Sequence, residues 1–122
     1  MDDELYKENI LDHYRNPHNK MELVGFDLKG KGVNASCGDR VTFFVKFDEK
    51  EEVVEASFEG DGCAISQASS SMFTEKVIGM NKNELKLISP GDIYDMLGIK
   101  ISPNRTKCAL LPYEALNNSK SN

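Results

Sequence analysis

Between Val41 and Ile78 the apolar residues of this 122-residue chain change their spacing once, and that change constrains the fold most. Val41, Phe43, Val45 and Phe47 alternate with Thr42, Phe44 and Lys46, the pattern of a strand. Asp48-Glu49-Lys50-Glu51 reads as a polar turn, and Val53 to Glu59 as the second arm of a hairpin, with Val54, Ala56 and Phe58 on one face. Gly60-Asp61-Gly62 breaks the extended pattern. A helix is expected from about Ala64 to Ile78, ended near Gly79.

The flanking segments supply more helices. Tyr6, Ile10 and Tyr14 recur every four residues, with Leu11 and His13 beside the stripe, so residues 3–15 read as an amphipathic helix. Asn16-Pro17 stops it, because the residue before proline avoids helical backbone angles. Residues 20–36, with Gly25, Gly30 and Gly32, read as a loop with at most one short strand. Asn83 to Leu87 suits a helical turn, Pro90-Gly91-Asp92 opens a short helix through Leu97, and a last helix runs from about Ala109 to Leu116. Pro112 is tolerable there as a first-turn residue. The polar tail from about residue 117 is expected to fray. The expected class is α+β: a small antiparallel sheet of about three strands packed against helices, in a single domain over 1–122.

Composition excludes several functions. With 39% hydrophobic residues the chain can bury a core, and its net charge of −5 argues against a nucleic-acid partner. No apolar run is long enough to span a bilayer, so no membrane association is expected. The start Met1-Asp2-Asp3-Glu4 lacks the basic and apolar segments of a secretory signal, which points to a cytoplasmic, reducing location. Three cysteines, an odd number, agree with that: metal binding or catalysis fits better than a disulfide framework.

Those cysteines stand in three contexts: Ser36-Cys37-Gly38-Asp39, Gly60-Asp61-Gly62-Cys63, and Arg105-Thr106-Lys107-Cys108. Any one alone would read as a small buried hydrophobe. Together with Asp39, two positions after Cys37 and on the same face of an extended segment, they make four metal ligands. Three thiolates and one harder carboxylate suit a tetrahedral site with one exchangeable ligand. Gly38 lets the backbone turn and gives access. Cys63 and Cys108 each read as lying just ahead of a helix, where unpaired amides favour the thiolate, and Arg105 and Lys107 add positive charge beside Cys108.

At these residues the chain resembles the IscU/SufU/NifU N-terminal-domain family of iron–sulfur cluster assembly scaffolds. Tyr6 to Tyr14 with Asn16-Pro17 and Asn19 is similar to the family's opening. Ser36-Cys37-Gly38-Asp39, Gly62-Cys63-Ala64-Ile65-Ser66 with Ala68-Ser69-Ser70-Ser71, and Lys107-Cys108-Ala109-Leu110 are similar to its three ligand motifs. The resemblance implies that Cys37, Asp39, Cys63 and Cys108 hold a [2Fe–2S] cluster or zinc, with Asp39 making the site labile, in an IscU/NifU-like fold. The branch stays open. Lys107 stands where IscU has a histidine, and Ile101-Ser102-Pro103-Asn104-Arg105 replaces a stretch that IscU offers to a chaperone. Arg105 and Lys107 resemble the SufU branch, without the insertion that SufU carries before the third cysteine.

Two activities follow from the resemblance. A scaffold, mainly non-enzymatic, takes sulfur from a cysteine desulfurase and iron from an iron donor, and passes a transient cluster to recipient apo iron–sulfur proteins. A SufU-like sulfurtransferase instead holds Zn2+ and accepts a persulfide on Cys63 or Cys108, the latter favoured by flanking charge. A structural zinc module that only binds partners is the third reading, disfavoured by the aspartate ligand and flanking glycines. The expected state is a monomer or weak dimer. Elsewhere, His13 is expected to cap or pack the first helix, Tyr6 to be half-buried, Met72 and Phe73 to be core, and Ser69-Ser70-Ser71 to allow close packing.

Overall fold

The computed structural model describes residues 3–121. The described residues form six helices: α1 (Asp3–Arg15), α2 (Ala64–Val77), α3 (Lys82–Leu87), α4 (Pro90–Leu97), α5 (Thr106–Ala109) and α6 (Leu111–Asn117). Four strands, β1 (Leu28–Asn34), β2 (Asp39–Phe47), β3 (Val53–Asp61) and β4 (Lys120–Ser121), form one sheet in the order β3-β2-β1-β4, with every pair antiparallel. The α+β class holds. The sheet has four strands rather than about three, because Lys120–Ser121 pair with Leu28 and Lys29 at the edge of β1. Lys120 and Ser121, in the polar tail expected to fray from about 117, find their backbone partners there.

The core lies between one sheet face and the helices. Val41, Phe43, Val45, Ala56 and Phe58 meet Phe73 and Val77 of α2, Leu97 of α4, and Leu111 and Ala115 of α6. Phe43 and Phe73 pack ring against ring at 5.2 Å. Phe44 points the other way by the strand's alternation, yet it is fully buried, with Phe26 at 5.7 Å. Met72 and Phe73 are buried, as the sequence suggests. Val54, expected on the inner face with Ala56 and Phe58, is exposed. A register shift between Lys46 and Phe47 places Val53 opposite Phe47 and buries Val53 instead.

Two further departures position the site. Gly30 and Gly32, read as loop residues, lie within β1. A Cβ at Gly32 would stand 2.7 Å from the Leu111 carbonyl oxygen, and one at Gly30 would strike the Ala115 carbonyl, so the glycines admit α6 against the strand. The expected helix over 109–116 is split at Leu110. A 3₁₀ turn (Pro103–Arg105) leads into α5, and α6 starts anew with Pro112 in its first turn. Cys108 therefore lies inside a four-residue helix rather than just ahead of a longer one. Among the described residues, no helix is long and apolar enough to cross a membrane.

Candidate metal centre

Four elements deliver the sulfur and oxygen donors to one end of the sheet. Asp39 opens β2, paired with Asn34 at the end of β1. Residues 35–38 turn between them: the Cys37 amide donates to the Asn34 carbonyl at 3.2 Å, and Gly38 takes φ 73°. That left-handed angle suits glycine and swings Cys37 outward. Cys63 is the N-cap of α2, reached directly from the end of β3. Cys108 is held by α5, which the Ser69 hydroxyl ties to α2 by donating to the Ala109 carbonyl at 2.6 Å.

Asp39, Cys63 and Cys108 place one ligand atom each within 4.8 Å of one another. Cys37 lies outside that tight group but reaches it through Cys108, with the two sulfurs 3.9 Å apart. Thiolates at about 2.3 Å from a tetrahedral ion stand about 3.8 Å apart, so this separation matches a shared ion. None of the three thiols is in a disulfide. Their exposure is graded: Cys37 is exposed, Cys63 intermediate and Cys108 buried.

The carboxylate carries the clearest sign of a missing partner. Asp39 is 3% exposed; its Oδ1 accepts from the Cys63 amide at 3.2 Å, while its buried Oδ2 has no hydrogen-bond partner among the described residues. A buried carboxyl oxygen left unpaired is costly, and a cation would satisfy it. Gly62 keeps the space open, since a Cβ there would stand 3.0 Å from the Asp39 carboxyl carbon and strike the Ser66 hydroxyl. The donor set therefore fits a thiophilic cation.

The charge expectation at Cys108 is corrected. Burial pushes its thiol well above the ordinary range, and the facing Asp39 carboxylate and Cys63 thiol push the same way. Arg105 and Lys107 are exposed and are not among the groups that shift it. Burial thus favours the thiol form of Cys108, and a cation bound there would have to displace its proton. Asn34, not singled out in the sequence, donates its side-chain amide to the Cys108 sulfur at 3.5 Å. A lone asparagine carries no spacing signal; its role arises from the register that sets it opposite Asp39.

His13 is buried and packs α1 against α2, as expected, and the three serines do more than leave room. Ser69 bonds Ala109, Ser70 donates to the Ser66 carbonyl at 2.8 Å, and Ser71 lies 2.7 Å from His13 Nδ1. Tyr6 is half-buried.

Comparison with known proteins agrees with this architecture. Residues 5–122 match the family model of the NifU-like N-terminal domain. The chain is 37% identical to the zinc-dependent sulfurtransferase SufU of Bacillus subtilis (strain 168), over 93% of this chain and 88% of that protein. It is 33% identical to the iron–sulfur cluster assembly scaffold protein IscU of Streptococcus pyogenes serotype M1, over 92% and 80% of the two chains. Its fold is that of a nitrogen-fixing NifU-like protein (N-terminal) from Brucella abortus, with a TM-score of 0.71 at 24% identity, covering 93% of this chain and 90% of that one.

Proposed function

The chain belongs to the NifU-like N-terminal domain family, and on that footing we propose that it is an iron–sulfur cluster assembly scaffold. The observation that carries the reading is the convergence of Asp39, Cys63 and Cys108 within 4.8 Å, with Cys37 beside Cys108 at 3.9 Å. The cargo is a [2Fe–2S] cluster built from sulfur delivered by a cysteine desulfurase and from iron brought by a donor, then passed to apo iron–sulfur proteins. Cys63 and Cys108 bind as thiolates in the buried part of the site. Cys37 closes it from the exposed turn. Asp39 is the harder, weaker ligand and the one that exchanges. The test is anaerobic assembly with a cysteine desulfurase, cysteine and ferrous iron, followed by transfer to an apo-ferredoxin. The wild type should show a sulfur-to-iron charge-transfer band and release its cluster, and Asp39→Ala should hold the cluster at least tenfold longer. Equal release rates in the two proteins would defeat the labile-ligand reading.

The graded exposure of the thiols, with the similarity to a zinc-dependent sulfurtransferase, favours a second reading, a persulfide acceptor. Cys37, Asp39, Cys63 and Cys108 would hold the zinc, which keeps its ligand thiols deprotonated at neutral pH. Sulfur transfer needs a thiolate that can reach a partner enzyme. Cys108, favoured by its flanking charges, is fully buried, and Cys63 is half-buried; Cys37 is the exposed thiol on a glycine-hinged turn. The acceptor in this reading is therefore Cys37. Its thiolate attacks the outer sulfur of the desulfurase persulfide, a new S–S bond forms on Cys37, and the desulfurase cysteine leaves as thiolate. Mass spectrometry after incubation with desulfurase and cysteine should find the added sulfur on Cys37; sulfur on Cys63 or Cys108 alone would reassign the acceptor. Either activity suits a reducing, cytoplasmic compartment.

A further inference from the structure

We infer that His13, His18 and Glu75 form a second metal site, for a borderline divalent transition-metal ion such as Zn2+ or Fe2+, apart from the cysteine cluster. The inference does not depend on what the cysteine cluster holds. His13 comes from α1, His18 from the segment after it, and Glu75 from α2; their donor atoms all lie within 4.8 Å of one another. His18 Nδ1 is 3.0 Å and His13 Nε2 3.5 Å from the same Glu75 oxygen, Oε1. Nitrogen and oxygen ligands at about 2.0–2.2 Å from a tetrahedral ion stand about 3.3–3.6 Å apart, so an ion enters with side-chain adjustments alone. Two imidazoles and one carboxylate suit zinc or ferrous iron, unlike the thiolate-rich set at the other site.

The ligands are already oriented. His13 Nδ1 is 2.7 Å from the Ser71 hydroxyl, which leaves Nε2 facing His18 and Glu75. The same hydroxyl accepts the His18 backbone amide at 2.7 Å, so one serine bonds the His13 ring and holds the backbone at His18. A hydrogen bond on the second ring nitrogen is what holds a metal-binding histidine in one tautomer and one direction. The His13 and His18 rings sit 4.5 Å apart, tilted by 48°. Burial of His13, then the neighbouring His18, hold the His13 imidazole below its usual range. Asp12 and Glu75 add negative charge nearby.

The site is also open on one side. The His13 side chain is 8% exposed, while those of His18 and Glu75 are 45% and 50% exposed, leaving room for a water as the remaining ligand. Ser71 follows Cys63 by eight positions, about 12 Å along α2, so the two ions would not share ligands. A bound ion would join α1, the following loop and α2 through three side chains.

Titration of the metal-free protein with Co2+ tests this, because thiolate and imidazole–carboxylate sites differ in spectrum. Two ions should bind per chain, one with an intense sulfur-to-cobalt band and one with weak d–d bands alone. His18→Ala and Glu75→Gln alter exposed ligands and leave the core intact. Each should weaken the second ion at least tenfold and leave the sulfur-to-cobalt band unchanged. Competition with Zn2+ should remove the weak bands in the wild type. A wild type that takes up one ion only, or a second ion that both variants retain, would overturn the site.

Discussion

Helix α2 supports two donor clusters, and they differ in how they are built. At its N-terminal end, Cys63 meets Asp39 and Cys108, donors drawn from a strand, a helix cap and a short helix far along the sequence. Around Ser71 and Glu75, the helix meets His13 and His18, which lie five positions apart. The first cluster buries two of its three donors and leaves a carboxylate oxygen unpaired. The second is half open, and its atoms already satisfy one another by hydrogen bonds. A buried, unsatisfied set binds an ion strongly because the ion relieves a desolvation cost. An open, hydrogen-bonded set must first give up bonds it already has. An ion bound in the first region would therefore be tied to its folding, and one in the second would act as reinforcement.

The largest expected effect is at the first cluster. Cys108→Ser should abolish stoichiometric zinc retention through gel filtration, read by metal analysis. Chelation should correspondingly lower the stability of zinc-loaded wild type by about 4 kcal/mol when free zinc had stood at 1,000 times its dissociation constant. The same chelation should leave Cys108→Ser almost unchanged; an equal drop in both proteins would show that the cluster does not couple to folding.

Gly62→Ala comes next. The added methyl enters the space between Asp39 and Ser66, so zinc affinity should fall about tenfold or more, a change of about 1.4 kcal/mol. Competition against a chromophoric chelator reads it. Ser71→Ala acts at the other region. It removes the shared partner of His13 and the His18 amide and should cost about 1–3 kcal/mol in urea unfolding. Zinc affinity at the cysteines should stay within twofold; a larger loss would mean the two clusters are one cooperative unit.

The smallest effect lies away from both. Asp92 accepts from the Ser89 amide at the start of α4, and that bond, before the nearby Ser89 hydroxyl and Lys76, holds its carboxyl below the usual value. A depressed carboxyl contributes stability above its unfolded pKa, near 3.9, and loses it as pH falls further through the folded value. Asp92→Asn should flatten the acid limb of stability below about pH 4 slightly, measured by denaturation across pH, and leave both metal regions unaffected.

Much of this was legible along the chain. The hairpin, α1, α2 and α4 follow from apolar spacing, proline and glycine, all of which act over a few residues. Cys37, Asp39, Cys63 and Cys108 could be singled out along the chain because sulfur and carboxylate side chains carry their ligating chemistry with them. Other features depended on contacts distant in sequence. Gly30 and Gly32 look like loop residues until α6 lies against them. Val54 fits the inner face until the register shift turns it outward. The break at Leu110, which places Cys108 inside α5, depends on α5 packing on α2 and α6 on the sheet as well as on Pro112.

The sequence by itself determined the α+β class, the main elements and which side chains can offer sulfur or oxygen to an ion, because periodicity and side-chain chemistry are local properties. Tertiary structure decided which donors are buried, that burial pushes the Cys108 thiol up while Cys37 faces solvent, and that His13 and His18 meet Glu75. Those outcomes depend on the distance and dielectric between residues far apart in the chain, and packing alone sets both.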